Sequence, residues 1–293
     1  MSFGPHLFLA LLEGTVAAFV LALTALGLSL VFGVMRVVNV AHGEFFMLGA
    51  VLAWAVSSLV PASPALGFLL ALIASPLAVG AVALLADRLV LRRLHYAPEA
   101  TIVATIGLLY ILQQLVLTFY GPYARPVAAP ISFRVQFPWF GYSGYKLVVI
   151  AAAAALLAAT WYLLMRTRIG LVMRATQYDR ETARAFGIPV ERVYSGIFAL
   201  GAMLAAVAGV LIVPIQQAHY LMGLDPLLLS FITVIIGGLG SLRGTLVAAF
   251  VIGLSDGVIS VFFSPTLAKI IATLFVALVL VFRPSGLFGS ARA

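Results

Sequence analysis

Apolar runs about as long as a helix needs to cross a bilayer alternate with short polar connections along almost the whole chain. The runs predict membrane spans at 7–30, 44–60, 65–85, 101–120, 147–164, 193–213, 227–242, 245–263 and 267–282. Two connections are rich in arginine. One is 86–99, with Arg88, Arg92 and Arg93; the other is 166–192, with six arginines and three acids. Two spans separate them, so they lie on the same side, which the positive-inside rule makes cytoplasmic. Counting outward places the N-terminus outside and the C-terminus, with Arg283 and Arg292, inside. The connection 121–146, full of proline, glycine and aromatic residues, then faces outward and suits an ordered cap on the membrane surface. Arg125, Arg134 and Lys146 in it run against the charge rule.

Two stretches break the helical pattern at membrane depth. The first, 33–44, sets Arg36, Asn39, His42 and Glu44 between apolar runs. The second, 236–244, carries Gly237, Gly238, Gly240 and Gly244 around Ser241. Irregular backbone survives there only where protein buries it or water reaches it. Glycine-broken segments in the two halves of a transporter mark a substrate path and are consistent with an internal repeat. Asn39, His42, Glu44, Gly237, Gly238, Gly240 and Ser241 are therefore candidate path residues. An equal reading has Asn39, His42 and Glu44 satisfy freed backbone groups and cap the helix that starts near Gly43.

Within 166–192, Thr176 and Asp179 have capping-box spacing, and Gly187 followed by Pro189 is a helix stop. A short helix is expected near 177–186. It sets Tyr178, Thr182 and Phe186 on one face and Arg180 and Arg184 on another. Such a helix could dock a soluble protein; the plainer reading is an ordinary positive-inside loop.

Composition sharpens the class. The chain is 64% hydrophobic and 9% charged, with a mean hydropathy of +1.18. That excludes an ordinary soluble domain and predicts one all-α polytopic membrane domain over 1–293, of about eight to ten transmembrane helices, the 227–242 stretch being short enough to re-enter. The net charge of +8 comes from arginines at span ends, so no nucleic-acid partner follows; the lipid bilayer is the partner. Cysteine is absent, which removes disulfides and thiolate metal sites. The first residues carry Glu13 and no basic n-region, and read as a first span rather than a cleaved signal.

Catalytic signals are thin. The four histidines are scattered without a partner at i+3 or i+4, so no metal site is expected. Gly253-Leu-Ser-Asp-Gly257 matches a nucleophile elbow but lies in an apolar helical run with no partnering histidine. Gly253 and Gly257 instead have the spacing of close helix packing, as do Gly240 and Gly244. Asp256, and with it Gln113 and Gln114, are polar at membrane depth and so are candidate buried polar or functional residues. The two lysines, Lys146 and Lys269, sit in no phosphate-binding loop, so any ATP that drives the chain must be hydrolysed by another protein.

Four segments in order carry a resemblance: 27–50 (GLSLVFGVMRVVNVAHGEFFMLGA), 173–193 (MRATQYDRETARAFGIPVERV) with the small-residue run 205–211, 234–254 (VIIGGLGSLRGTLVAAFVIGL) and 279–289 (VLVFRPSGLFG). With these the chain resembles the LivH-type permease subunits of bacterial branched-chain amino-acid ABC importers. The resemblance implies a multi-pass inner-membrane permease that does no covalent chemistry and holds no cofactor itself, with ATP and Mg in partner subunits. It implies a second homologous permease, two cytoplasmic ATPase subunits and an extracytoplasmic substrate-binding protein. Thr176, Tyr178, Asp179, Arg180, Thr182, Arg184, Phe186 and Gly187 then correspond to a coupling helix, and 121–146, with the 214–226 connection, to the receiver of the binding protein. The competing readings are a stand-alone ion-coupled transporter of small zwitterions or amides, and a membrane-embedded enzyme built from His42, Glu44 and Asp256.

Overall fold

A computed structural model describes residues 3–283 and 286–288. Its helices are α1 (Phe3–Met35), α2 (His42–Ser58), α3 (Pro64–Ala86, continued by a π-helical turn, Asp87–Leu91), α4 (Pro98–Tyr120), α5 (Gly144–Arg166), α6 (Arg168–Tyr178), α7 (Arg180–Ala185), α8 (Val190–Gln216), α9 (Leu224–Gly237), α10 (Leu242–Phe262) and α11 (Pro265–Phe282). Local chemistry sets many of the starts. Ser63, Thr167, Asp179, Ser241 and Ser264 each accept a hydrogen bond from a backbone N–H of the turn they begin, and Pro64, Pro98 and Pro265 occupy first-turn positions where no N–H is needed.

Six of these helices are long and apolar enough to cross a membrane: α1, α3 with its π-turn, α4, α5, α8 and α10. The other three expected spans are shorter helices. α2 has 17 residues and α9 has 14, and the stretch expected as 227–242 ends as a helix at Gly237. Arg292 lies outside the described residues, as do parts of 279–289.

α1 and α8 form the centre. Each has 83% of its apolar window buried, against 28% for α4 and α5. Helices apolar all round belong inside a bundle, while those that bury one stripe leave the remainder to lipid. Because lipid removes any hydrophobic drive between spans, contact depends on small residues. A Cβ on Gly27 would stand 2.5 Å from the Gly201 carbonyl oxygen, and one on Gly201 would stand 2.8 Å from that of Gly27. α10 lies along α1 in the same manner, Gly253 against Ala18 and Gly257 against Gly14, as the spacing of those two glycines anticipates. Gly240 is not part of a helical pair with Gly244: it is a loop residue with φ +79°, and Gly244 packs on Gly237.

The connection 121–143 is ordered and contains a small antiparallel hairpin, β1 (Arg134–Gln136) with β2 (Gly141–Ser143), which the sequence reading did not anticipate. Arg125 exchanges backbone hydrogen bonds with Ala218, joining this cap to the 217–223 connection. Two of the three basic residues at 121–146 have partners. Lys146 pairs with Glu13 of α1 at 2.6 Å, and Arg125 lies 5.1 Å from the Trp54 ring while donating to the Tyr120 carbonyl. The loop 166–192 lies at the other end of α5.

Candidate functional site

The two breaks in the helical pattern are breaks in the structure, and they touch. α1 ends at Met35, and 36–41 runs without helix until α2 begins at His42. This segment doubles back into the bundle, because His42 Nε2 donates to the carbonyl of Thr24, well inside α1, at 2.9 Å. Neighbours satisfy much of the freed backbone. Val40 N–H donates to Thr105 Oγ1 of α4 at 3.1 Å, and Ala41 N–H to Asn39 Oδ1 at 3.1 Å. Arg36 takes up the reversal with φ +55°. The second break follows α9, where Gly238 and Gly240 have positive φ. The 286–288 segment closes it, Leu287 N–H donating to the Ile236 carbonyl at 2.8 Å. Gly33, near the end of α1, and Gly240 stand so close that a Cβ on Gly33 would be 3.0 Å from Gly240 Cα.

Asn39, His42 and Glu44 are fully buried as a set. Glu44 Oε1 accepts from Gln113 Nε2 of α4 at 2.9 Å, and Asn39 Nδ2, His42 Nδ1 and Glu44 Oε2 have no hydrogen-bond partner among the described residues. Gln114, the next residue of α4, is exposed. Gly240 and Ser241 border a different space, a cavity of about 590 Å³ at the 166–192 end, shared with Arg36, Arg174 and Gln177. Ser241 accepts from Gly244 N–H at 3.2 Å as the cap of α10. Gly237 and Gly238 are buried, Gly237 against Gly244 and Gly238 against Gly286. Asn39, His42 and Glu44 thus form a buried polar knot between α1, α2 and α4, Gly240 and Ser241 line the cavity, and Gly237 and Gly238 lie in neither. Asp256 borders a third space, described below. His42, Glu44 and Asp256 do not gather, and among the described residues no three His, Asp or Glu side chains lie grouped as metal ligands would.

The arginine-rich loop differs from expectation. In place of one helix over 177–186 there are two, α6 and α7, broken at Asp179, which has extended backbone. Thr176 is not a cap: it is buried in the last turns of α6, with its hydroxyl donating to the Val172 carbonyl at 2.9 Å. Asp179 is the cap. Its Oδ1 accepts from Glu181 and Thr182 N–H at 2.9 and 3.1 Å, and its Oδ2 accepts from the Thr182 hydroxyl at 2.6 Å. The Thr182 hydroxyl above all, then its N–H, hold this carboxyl below the usual carboxylate range. The break also splits the expected stripe, since Tyr178 belongs to α6 while Thr182 and Phe186 belong to α7 and its end. Tyr178 and Phe186 are both strongly exposed, at 70% and 83%. Arg180 and Arg184 are exposed on α7, Arg184 pairing with Glu191 at 2.6 Å, and Gly187 ends the turn at φ +81°.

Sequence reasoning missed how this loop is tied to the bundle. Arg174 donates to the carbonyl of Leu164 in α5, and Gln177 Nε2 to the carbonyl of Gly240 at 3.4 Å. It also missed Asp87, buried in the π-turn and hydrogen-bonded to the Ser195 hydroxyl of α8. The one signal for Asp87 was an acid closing an apolar run, and the surrounding arginines obscured it.

The family model described as the permease component of branched-chain amino acid transport systems matches residues 10–282. The chain is 28% identical to the high-affinity branched-chain amino acid transport system permease protein BraD of Pseudomonas aeruginosa, over 97% of this chain and 96% of that one. It is 27% identical to LivH of Escherichia coli K12, a permease protein of the same kind of system, over 92% and 91%. To a probable branched-chain amino acid transport permease protein LivH of Methanocaldococcus jannaschii it is 26% identical, over 95% and 92%. No solved structure matches.

Proposed function

Because the chain belongs to the family of permease components of branched-chain amino acid transport systems, a family of transport proteins rather than enzymes, we propose that it is the membrane-spanning permease of an ATP-driven importer. It carries branched-chain or other hydrophobic amino acids into the cytoplasm and is powered by separate ATPase subunits that hold ATP and Mg. A second homologous permease and an extracytoplasmic binding protein complete the assembly. The match over 10–282 carries the reading, since it takes in both breaks, the loop and the cap.

The mechanism we infer runs from the loop inward. The 166–192 loop faces the cytoplasm, and α6 with α7 is the element that the ATPase grips. Exposed Tyr178, Arg180, Arg184 and Phe186 suit an aqueous docking face. α6 is joined to α5 through Arg174 and to the α9–α10 break through Gln177, so displacement of α6 bears on both. A ratchet of this kind needs two discrete arrangements of packed elements, and a glycine-rich, non-helical joint between two helices is where such a change costs least. The substrate's charged ends need polar partners wherever water is stripped from them, which in the membrane only side chains and helix ends supply. The cap formed by 121–143 and 217–223 receives the binding protein. The short helices α2, α9 and α11 add to the six long ones, giving about nine membrane-embedded helices with both the loop and the C-terminus cytoplasmic.

Purification of tagged protein from native membranes in mild detergent, followed by reconstitution, tests this. An ATPase with a phosphate-binding loop and a second permease should co-purify, and uptake should need ATP. A chain that comes out alone and transports in liposomes without ATP would be a secondary transporter, and the reading would fall.

A further inference from the structure

A second cavity, of about 520 Å³, opens at the cap end of the bundle, between α1, α8, α9, α10 and α11. Its charges are unevenly paired. Glu13 is bound to Lys146, and Asp225 to Lys269, each at 2.6 Å. Asp256 of α10 borders the same space with no hydrogen bond or ion pair to any described residue, while Lys269 and Asp225 act on it electrostatically. The cavity therefore carries one carboxylate in excess. Its inner walls are apolar, from Val20 and Leu21 of α1 to Phe46 of α2 and Leu229 of α9. A carboxylate at membrane depth is costly without a partner, and helix packing does not require this one, because the α1–α10 contact is made by Gly253 and Gly257 on neighbouring positions.

We propose that this cavity is a vestibule that holds an amino-acid zwitterion, with Asp256 receiving the α-ammonium group, Lys269 sharing its charge with the α-carboxylate, and the apolar wall taking the side chain. The inference rests on the transport reading above and adds a site to it. Three features of the space suit that ligand together. The unpaired carboxylate selects for a positively charged group. The Asp225–Lys269 pair is 63% and 41% exposed at its side chains, so a carboxylate can compete for Lys269 at little cost. The apolar wall then favours aliphatic side chains over polar ones. Phe46 and Thr24 form the inner boundary, and the Thr24 carbonyl accepts the hydrogen bond from His42. The vestibule thus ends against the break before α2.

The natural lack of cysteine makes the test clean. Ser260→Cys puts a thiol on the cavity wall, in the complete importer reconstituted into proteoliposomes, with assembly checked by co-purification. A charged, membrane-impermeant thiol reagent is added from the cap side, and labelling of this subunit is read by mass. L-leucine at about ten times its dissociation constant should slow labelling about tenfold by mass action. The α-hydroxy acid of the same carbon skeleton, which lacks the ammonium group, should not. Adding Asp256→Asn should abolish protection, and Asp256→Glu should restore part of it. Equal protection by the hydroxy acid, no protection by leucine, protection that survives Asp256→Asn, or a thiol that never labels in the assembled importer would each overturn the vestibule. The broader reading is checked separately on the unsubstituted importer: ATP-dependent leucine uptake there, without leucine protection of the thiol, sinks the vestibule alone.

Discussion

Gln177, on the last turn of α6, donates its side-chain amide to the backbone carbonyl of Gly240, in the break between α9 and α10, at 3.4 Å. The two residues are 63 positions apart, and the bond joins the loop helix to the irregular backbone beside the cavity of about 590 Å³.

Gln177→Ala should therefore loosen coupling more than it loosens the fold. A long neutral hydrogen bond is worth about 0.5–1.5 kcal/mol net, so stability should change little, while a link biasing a two-state joint by that amount shifts its populations up to about tenfold. The ratio of ATP hydrolysed to substrate moved in proteoliposomes is the readout. It should rise several-fold at unchanged expression. An unaltered ratio would mean that α6 moves the joint by other contacts.

Arg184→Glu should weaken ATPase docking and leave the permease inserted. The arginine is exposed, and its pair with Glu191 is a surface pair worth at most about 1 kcal/mol. The substitution sets two carboxylates side by side on the proposed docking face and reverses the charge at that position. Co-purified ATPase should fall at normal membrane expression. If expression falls with it, the loop is structural.

Much of this was legible in the sequence, and the reason for each success or failure is local. The two breaks show because glycine and polar residues interrupt apolar runs, and Gly253 and Gly257 show because helix packing repeats every four residues. Which way segment 36–41 turns does not show. That depends on Thr105 and Thr24, on other helices, offering partners for Val40 and His42. The split at Asp179 was misread because Thr176 and Asp179 have capping spacing, yet Asp179 capping its own following turn satisfies two N–H groups at once. The pairs Lys146–Glu13 and Lys269–Asp225 bridge 133 and 44 positions, a distance at which spacing carries no signal.

Gly201→Ala should destabilise the bundle, whereas Gly107→Ala should not. At Gly201 the new Cβ meets the Gly27 carbonyl oxygen at 2.8 Å, so the central α1–α8 crossing must widen, at about 1–3 kcal/mol. At Gly107 of α4 nothing lies within 4 Å, and alanine in a helix interior gains about 0.5–1 kcal/mol over glycine. Thermal unfolding of detergent-solubilised protein should separate the two by several degrees. Equal midpoints would refute the tight crossing.

Gln113→Leu should cost more than its size suggests. Gln113 Nε2 is the partner of Glu44 Oε1, and Glu44 is fully buried. Removing the donor leaves a buried carboxyl without its hydrogen bond, a loss of about 1–3 kcal/mol or more. Glu44→Gln in the same background replaces the carboxyl left without its donor by a neutral amide and should recover part of the loss. Expression and midpoint of the single and double variants form the cycle; strict additivity would mean that the pair is not coupled.

The cap of α7 should be sensitive to acid, with a sign set by Asp179. Its folded-state carboxyl is held below the ordinary value, first by the Thr182 hydroxyl and then by the Thr182 N–H. A depressed carboxyl contributes stability that is present above its unfolded value and is lost as pH falls through the folded one. Amide protection of Glu181 to Phe186 should therefore hold at neutral pH and decline below the usual carboxylate range. Asp179→Asn keeps an acceptor for the two N–H groups but cannot titrate, so its protection should be flat across that window. Hydrogen exchange measured as a function of pH on the two proteins decides it. An identical acid decline in both would locate the titrating group elsewhere in the loop.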